Sequence, residues 1–324
     1  MQAVRLGLIG AGWIARQHLE ALRGFADIKA VAIVSRTRSK AEALAAEYGI
    51  PAVYDDLDAL VAKEKPDALM VLVSEENMFS VASQAIQYGL PLFIEKPAGL
   101  SPEDNLALAE MAEQRRIPTM AGYNRRYYSI FHKGIEIIRQ HGELLGVSVE
   151  GHERMWRVRE GKKFSERVML DWIFANSTHT IDLLRFFGGE VRSLKSIAHR
   201  RFGESRGDQF AAVMELSCGA VAQYTAHWYS PGGWRVVLYG DGVTVEFKPL
   251  ESGRWTNRKF ETVEIEPEEY DKKYKAGFWG QMRAFGELVR TGRKDAFMLD
   301  LRGAYETMRL AQQISLDAEC VVQK

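Results

Sequence analysis

The first stretch of the sequence suited to chemistry is Gly10-Ala11-Gly12-Trp13-Ile14-Ala15, which fits the pattern Gly-x-Gly-x-x-Gly/Ala. In that pattern the first glycine permits a tight turn, the second lets backbone approach a pyrophosphate, and the small last residue keeps helix and strand close. The following helix offers free N–H groups to the phosphates. The stretch therefore predicts a dinucleotide site. The alternative is a glycine-rich turn that binds no nucleotide. His18, on the helix that follows the loop, is interpreted as a structural residue.

The end of the second predicted strand indicates which dinucleotide would bind. An NAD-specific domain commonly has Asp or Glu there, about 20 residues beyond the loop, to bind the ribose hydroxyls. Ser35 occupies this position and is followed by Arg36, Arg38 and Lys40. Because arginine pairs bidentately with a 2′-phosphate, we expect NADP, with NAD as the second option. The alternative is that these cations belong to a solvated helix start. The predicted cofactor site comprises Gly10, Gly12, Trp13, Ile14, Ser35, Arg36, Arg38, Ser74, Glu95 and Lys96.

A second chemical stretch, Glu95-Lys96-Pro97, follows the apolar strand Leu92 to Ile94. It presents a charged pair at the carboxyl edge of a parallel sheet, where open α/β folds bind ligands. The alternative is an exposed strand end with an ion pair and a proline stop.

A third stretch surrounds His179. Asn176 is predicted to cap a helix that runs to Phe187, which places His179 in the first turn and Asp182 one turn later on the same face. A helix amino terminus and a nearby cation both disfavour imidazolium, so a histidine there is expected to be a proton acceptor. From the residues alone, a structural role for a histidine in an apolar helix is the more common alternative.

These residues must be positioned by βαβ units up to about residue 122, where short apolar runs alternate with helical patterns. The predicted strands are Val4–Ile9, Ile28–Val34, Ala52–Tyr54, Ala68–Val73 and Leu92–Ile94. The predicted helices, after a first one that ends near Arg23, are Ser39–Tyr48, Leu57–Lys63, Asn77–Tyr88 and Pro102–Arg116.

After Gly122 the pattern changes to one helix, several successive strands and two closing helices. We expect an α/β protein: a Rossmann-type doubly wound parallel sheet in residues 1–122, then an α+β domain with a large open, mostly antiparallel or mixed sheet in residues 123–324, for substrate binding and oligomerisation. The second domain is predicted to contain a helix at 130–140, strands at 147–153, 194–202, 211–216, 221–226, 236–239 and 243–247, and helices at 278–290 and 299–315.

Composition excludes several classes of protein. Lys plus Arg and Asp plus Glu both total 43, so no net field attracts nucleic acid or an acidic membrane. Cys218 and Cys320 form no CxxC pattern, which argues against a disulfide framework or a zinc site, and no metal is expected. No apolar run reaches the roughly 18 to 20 residues of a membrane helix. The start, Met1 to Ala15, is as apolar as a secretion signal, but three glycines interrupt it and Arg5 is its only basic residue, so it is interpreted as a strand and turn. A cytoplasmic location fits best.

Together with Ala121-Gly122-Tyr123-Asn124-Arg125-Arg126-Tyr127 and His179-Thr180-Ile181-Asp182, the loop at Gly10 and the tripeptide at Glu95 resemble the Gfo/Idh/MocA oxidoreductase family. The resemblance covers essentially the whole chain. It implies NAD(P)-dependent oxidation or reduction of sugars, polyols or related compounds. It also implies that Lys96 lies in the active site and that the Lys96-Pro97 peptide bond is cis.

The resemblance implies a role for each catalytic candidate. His179 would act as the general base, Lys96 would hydrogen-bond the reacting oxygen, and Asp182 would orient the imidazole or a substrate hydroxyl. Inositol-dehydrogenase-like members have an Asp where this chain has Ala175, and whether Asn176 or Asp171 compensates stays open. Substrate contacts are predicted for Tyr123, Arg125, Arg154, Trp156 and Asn176, with Asn124, His152 and Trp172 as weaker candidates; packing is the alternative role for the aromatic ones.

The expected function is hydride transfer between NADP(H) and a carbohydrate-like hydroxyl or carbonyl compound. Two alternatives remain: a non-catalytic NADP-binding redox sensor, and a reductase of a non-carbohydrate carbonyl on the same fold. Aromatic residues on the predicted second-domain strands favour a homodimer or homotetramer. The substrate and the physiological direction stay open.

Overall fold

A computed structural model of the chain describes residues 3–315, so Cys320 lies outside the described residues. The chain divides into two compact units. Of the described residues, the first unit contains 3–127 together with Glu269–Tyr305, and the second contains Tyr128–Glu268 together with 306–315. The first unit is therefore built from two separate segments of the chain.

The helices have the following bounds: α1 Trp13–Leu22, α2 Arg38–Tyr48, α3 Leu57–Glu64, α4 Glu75–Ile86, α5 Pro102–Gln114, α6 Ser129–His141, α7 Met155–Gly161, α8 Glu166–Leu170, α9 Thr178–Gly188, α10 Glu269–Lys273, α11 Phe278–Thr291 and α12 Leu301–Ile314. The strands are β1 Val4–Ile9, β2 Ile28–Val34, β3 Ala52–Tyr54, β4 Ala68–Val71, β5 Leu92–Ile94, β6 Thr119–Ala121, β7 Leu144–Gly151, β8 Val191–His199, β9 Gln209–Leu216, β10 Val221–His227, β11 Trp234–Gly240, β12 Val243–Phe247, β13 Gly253–Asn257 and β14 Thr262–Ile265.

A six-stranded parallel sheet in the order β3-β2-β1-β4-β5-β6 forms the centre of the first unit. This is the doubly wound Rossmann order, in which the strand sequence reverses between β1 and β4. The strands are nearly continuous apolar runs because helices cover both faces of the sheet. The expected Rossmann-type fold is confirmed. Strand β6 was not predicted.

Side-chain caps fix two helix starts in this unit. Asp56 accepts a hydrogen bond from the Ala59 N–H before α3, and Ser101 accepts one from the Asp104 N–H before α5. Strand β4 ends at Val71 rather than at the predicted Val73. The residues after Val71 are thereby left outside the strand.

Helix α11 belongs to the first unit, although the boundary inferred from sequence at residue 122 assigned it to the second domain. Its residues Phe278, Met282 and Phe285 are buried in one apolar core with Ile28 of β2 and Phe93 of β5. Helical periodicity reveals that a segment has an apolar face, but not which sheet that face covers. For this reason, α11 was assigned from the sequence to the same domain as the segments that adjoin it along the chain.

The second unit is built on an eight-stranded mixed sheet in the order β14-β13-β12-β11-β7-β10-β9-β8. Within the described residues, β7 and β10 pair in parallel and the remaining neighbours pair antiparallel. Helix α6 packs against β11 to β14, and α9 packs against β7 and β10. The expected open mixed sheet is confirmed. Strands β13 and β14 and the short helices α7, α8 and α10 were not predicted.

The outer face of this sheet is exposed and carries both charges and apolar side chains. Val213, Val221 and Tyr239 are exposed there. Arg235 pairs with Glu150 and Glu246 on neighbouring strands. None of the described helices is long and apolar enough to cross a bilayer.

Candidate cofactor and substrate sites

The turn after β1 has the geometry of a phosphate loop. Gly10 has φ of +113°, and a Cβ there would lie 2.4 Å from the carbonyl oxygen of Leu72, so only glycine fits. A Cβ on Gly12 would instead meet no atom within 4 Å, which leaves open space in front of the first turn of α1. A pyrophosphate requires such an approach to backbone N–H groups at a helix start. The loop therefore fits the group that its sequence predicts.

A cavity of about 330 Å³ lies beside this loop, formed by the carboxyl ends of β1, β2 and β4. This is the edge of the sheet at which doubly wound folds bind nucleotides. It is lined by Ile9, Gly10, Ala11, Gly12, Val34, Ser35, Arg36, Thr37, Lys40, Leu72, Val73, Ser74, Asn77 and Val81. Arg36 and Lys40 are exposed, so both guanidinium and ammonium groups can reach a ligand in the cavity. The cavity thus brings together Gly10, Gly12, Ser35, Arg36 and Ser74 of the predicted site.

Arg38 does not line this cavity. Its Nε donates to Glu42 at 2.8 Å and its Nη1 donates to Asp55 at 2.6 Å. The hydrogen bond with Asp55 is the main reason that the pKa of Arg38 is raised. The guanidinium is therefore engaged by two carboxylates, a competition that the position of Arg38 in the sequence does not reveal.

Trp13 and Ile14 were also predicted to bind cofactor, but neither lines the cavity. Trp13 is 61% exposed, and the ammonium of Lys275 lies 4.1 Å from its ring centroid. Ile14 packs against the apolar core. Sequence reasoning missed Asn77, which donates from Nδ2 to Ser74 Oγ at 2.7 Å and lines the cavity. The spacing of a Ser at a helix start and an Asn three residues later was the available signal.

The turn after β5 is fixed by a buried carboxylate. Glu95 is 5% exposed, and its Oε2 accepts a hydrogen bond from the Lys96 N–H at 3.0 Å. Its Oε1 lies 2.6 Å from Nε2 of the fully buried His18. A Cβ on Gly122 would lie 2.6 Å from Glu95 Oε2, so glycine leaves room for this carboxylate. Glu95 was predicted as a cofactor contact, and the structure places its carboxylate inside the unit instead.

The Lys96-Pro97 peptide bond is cis, which confirms the expectation from the family resemblance. Lys96 is half-buried and directly follows the carboxyl end of β5. It therefore lies on the edge of the sheet that also carries the phosphate loop.

The segment before His179 differs from the sequence prediction. Ile173–Ser177 forms a π-helical turn that continues into α9, and the Thr178 N–H donates to the Ile173 carbonyl. Asn176 is therefore not a helix cap, and His179 does not lie at a free helix amino terminus. His179 therefore lacks the free helix N–H groups whose dipole was expected to disfavour imidazolium. A π-helical turn is common near functional sites, but short-range patterns do not reveal it.

His179 is 6% exposed and lies near Trp234, with 6.0 Å between the two ring centroids. The buried Glu153 holds the segment that precedes it. Glu153 Oε2 accepts from Asn176 Nδ2, and Oε1 accepts from Ser177 Oγ, both at 2.6 Å. Sequence reasoning missed this carboxylate, because a Glu just beyond a strand carries no distinguishing pattern.

The two aspartates proposed around His179 have other partners. Asp171 accepts from Arg206 Nε at 2.6 Å, so an ion pair holds the carboxylate that was considered a substitute at Ala175. Asp182 is 1% exposed, accepts from Thr307 Oγ1 at 2.8 Å and lies 3.9 Å from Arg185 Nη1. Both carboxylates thus belong to polar clusters within the second unit.

A second cavity, of about 700 Å³, lies entirely within the second unit. It is lined by His152, Glu153, Arg154, Arg157, Val158, Trp172, Asn176, Gly232, Gly233, Trp234, Lys248, Pro249, Leu250 and Glu251. Of the predicted substrate contacts it contains Arg154 and Asn176, and of the weaker candidates His152 and Trp172. Burial lowers the pKa of His152. Arg157, Trp234 and Lys248 were missed.

Three other predicted contacts lie elsewhere. Tyr123 is buried in a small apolar cluster with Ala121, Leu299 and Ala304. Arg125 donates from Nη1 to Asn124 Oδ1 at 3.0 Å. Trp156 lies on α7 but does not line the cavity. In the described residues no group of three or more His, Cys, Asp or Glu side chains is arranged to hold a metal ion.

Comparison with known proteins places the chain among oxidoreductases. Residues 4–123 match a model described as an oxidoreductase family with an NAD-binding Rossmann fold, and residues 139–246 match a GFO/IDH/MocA C-terminal domain. An inositol 2-dehydrogenase of Rhizobium meliloti is 28% identical over 58% of this chain and 56% of its own length. A UDP-N-acetylglucosamine 3-dehydrogenase of Acidithiobacillus ferrooxidans is 28% identical over 69% of this chain and 66% of its own length.

Similar folds occur among solved structures. A dehydrogenase from Chromobacterium violaceum has a TM-score of 0.81 at 21% identity and covers 97% of this chain and 94% of its own. At 21% identity, this similarity shows a common fold and no more. Two domain models of the same family therefore match this chain, and together they cover most of it. The chain is a member of the Gfo/Idh/MocA oxidoreductase family.

Proposed function

We propose that this oxidoreductase is an NADP-preferring dehydrogenase that acts on a sugar, a polyol or a related hydroxyl or carbonyl compound. The observation that carries the proposal is the cavity beside the phosphate loop, which combines the open approach at Gly12 with Ser35, Arg36 and Lys40. Two of the relatives named above are dehydrogenases of an inositol and of a nucleotide sugar. Residues 1–122 would bind the dinucleotide, and residues 123–324 would bind substrate.

The chain's own residues account for cofactor preference. The N–H groups at the start of α1 would bind the pyrophosphate, because Gly12 leaves that approach open. Arg36 and Lys40 would bind the 2′-phosphate. Ser35 would not repel this phosphate, because its side chain is small and carries no negative charge. Ser74 and Asn77 line the same cavity and would position the remainder of the dinucleotide.

The bound nicotinamide supplies a site that accepts hydride from a carbinol carbon or returns it to a carbonyl carbon. Oxidation of an alcohol also requires a proton acceptor, and we assign this role to His179. Lys96 would hydrogen-bond the reacting oxygen and stabilise negative charge that develops on it. Glu153 would position His179 indirectly, since it holds Asn176 and Ser177 in the preceding turn.

Self-association through the outer face of the second sheet is part of the proposal, as a homodimer or homotetramer. Val213, Val221 and Tyr239 are exposed on this face beside charged side chains. Burial of such a patch commonly stabilises an oligomer. Light scattering at micromolar concentration would test this, and a monomer would contradict it.

The direct test of function combines binding and turnover. NADPH and NADH are titrated separately, and sugars, inositols, sugar acids and nucleotide sugars are then screened by the absorbance of the reduced cofactor in both directions. We expect tighter binding of NADPH and turnover of at least one hydroxylated compound. NADH binding of equal or greater affinity would overturn the NADP preference. Nucleotide binding without any turnover would favour a redox sensor.

A further inference from the structure

Three cations converge on the 700 Å³ cavity of the second unit from separate positions in the chain. Arg154 directly precedes α7, Arg157 lies in its first turn, and Lys248 follows β12. Among the described residues, none of the three side chains forms an ion pair with a carboxylate. Nearby arginines differ, since Arg159 pairs with Glu204 and Arg206 pairs with Asp171.

The two carboxylates that line the same cavity accept hydrogen bonds from neutral side chains and form no ion pair with these cations. Both oxygens of Glu153 accept hydrogen bonds, from Asn176 and Ser177, and its side chain is buried. Glu251 accepts a hydrogen bond from the Tyr128 hydroxyl at 3.0 Å. His152 contributes little positive charge near neutral pH, because burial lowers its pKa. Three cations against two engaged carboxylates leave the cavity with an excess of positive charge.

The backbone at Arg154 has an uncommon conformation, and its side chain lies next to a glycine. Arg154 has φ of +54°, in the left-handed region that side chains other than glycine and asparagine rarely adopt. A Cβ on Gly233 would lie 3.1 Å from Arg154 Nη2, so the guanidinium lies over a position without a side chain. The cost of the left-handed conformation is consistent with a functional position.

Two residues that line the cavity lie close to the proposed catalytic residue. Asn176 lies one turn before His179, and Trp234 is the aromatic neighbour of the His179 ring. Trp172 and Trp234 both line the cavity, and aromatic side chains are common in the walls of small-molecule pockets. A volume of about 700 Å³ is within the range of pockets that hold a compound larger than a simple hexose.

We propose that this cavity selects a hydroxylated substrate that carries an anionic oxygen group, either a carboxylate or a phosphate, and that Arg154, Arg157 and Lys248 bind this group. The proposal rests on the dehydrogenase function proposed above and narrows its substrate class. Guanidinium groups pair with carboxylate and with phosphate in the same bidentate geometry, and lysine adds a point charge. A neutral sugar or polyol leaves all three cations without a partner.

The experiment is calorimetric titration of the full chain in the presence of NADP⁺ with matched neutral and anionic probes. D-glucose is compared with D-gluconate, D-glucuronate and glucose 6-phosphate, and myo-inositol is compared with its 1-phosphate. The variants are Arg157→Met and Lys248→Met, both at exposed positions. Arg167→Met is the matched control, because Arg167 is exposed on α8 and does not line the cavity.

We expect at least one anionic probe to bind tenfold or more tightly than its neutral parent. Arg157→Met and Lys248→Met should each reduce that affinity about tenfold and leave the affinity for the neutral parent unchanged, whereas Arg167→Met should change neither. The acid probes and the phosphate probes distinguish which anionic group is preferred.

Neutral parents that bind as tightly as every anionic partner would overturn the proposal. So would an absence of binding by all anionic probes, or equal losses in Arg157→Met and Arg167→Met. Turnover is measured in parallel to separate the two proposals. Anion binding that depends on Arg157 but yields no NADP(H) turnover would overturn the dehydrogenase function alone. Turnover of neutral polyols together with tighter binding of the neutral parent than of every anionic partner would overturn only the present inference.

Discussion

His18 Nε2 lies 2.6 Å from Glu95 Oε1, and both side chains are buried. This contact joins the helix of the phosphate loop to the turn that carries Lys96. The His18 ring also packs between Phe93 and Phe278, at 5.0 and 4.8 Å between ring centroids. A residue that the sequence indicated only as structural therefore determines where the Glu95 carboxylate lies, and Glu95 in turn holds the Lys96 N–H.

Replacement of His18 should destabilise the first unit. His18→Ala leaves a buried carboxylate without one of its partners, which typically costs about 3 kcal/mol of unfolding free energy. Urea denaturation measures this value. His199→Ala is the control, because His199 is exposed and its change should stay within about 0.5 kcal/mol. Equal stability of the two variants would show that the contact with Glu95 contributes nothing.

Arg36 and Arg38 should differ in their effect on cofactor affinity, although they are two residues apart. Arg36→Ala should weaken NADPH binding by about 1.5 to 3 kcal/mol, the range for a hydrogen bond to a charged group, with little change for NADH. Arg38→Ala should change neither, since Glu42 and Asp55 already engage its guanidinium. Fluorescence titration with NADPH and with NADH measures these affinities for both variants. A larger loss for Arg38→Ala than for Arg36→Ala would refute the assignment.

Two glycines of the phosphate loop should respond differently to alanine. Gly10→Ala forces a Cβ into the Leu72 carbonyl at a positive φ, so it should lower both stability and NADPH affinity. Gly12→Ala places its Cβ in open space, so the unfolding free energy should change by less than about 0.5 kcal/mol. NADPH affinity should nevertheless fall, because the methyl group occupies the approach of the pyrophosphate. Unchanged NADPH affinity in Gly12→Ala would place the phosphates elsewhere.

The proton acceptor is tested by His179→Ala. Loss of a general base typically lowers kcat by about 100- to 10,000-fold, and NADPH affinity should be retained. His199→Ala again serves as the control with normal turnover. Once a substrate is identified, turnover of His179→Ala at the rate of the unmodified chain would remove His179 from the mechanism.

The sequence predicted those parts of the fold that depend on local pattern. Strands β1, β2 and β5 have the predicted bounds, because nearly continuous apolar runs end before Gly10, Ser35 and Glu95. The cofactor loop could also be predicted, because each glycine in the pattern meets a specific requirement of the backbone. Positions fixed by distant partners were not predictable in this way. Arg38 depends on Asp55, 17 residues away, and α11 depends on β2 and β5.

The surroundings of His179 show a second limit. Asn176 has the residue type of a helix cap, but Glu153, 23 residues earlier, engages its side chain, and a π-helical turn replaces the expected helix start. Tyr123 has the chemistry of a substrate contact, but an apolar cluster with Leu299 buries it. In both cases residue type suggested a role, and a contact formed only in the folded chain determined the actual one.

The discontinuous first unit has a consequence for synthesis on the ribosome. The Rossmann sheet is complete once Ala121 has emerged, but Phe278, Met282 and Phe285 of α11, which close its core, are translated much later. At about 5 to 20 residues per second, the interval between residues 127 and 305 lasts roughly 10 to 35 seconds. During that time the apolar surface around Ile28 and Phe93 lacks its native cover, so the nascent amino-terminal segment is where a chaperone would be needed.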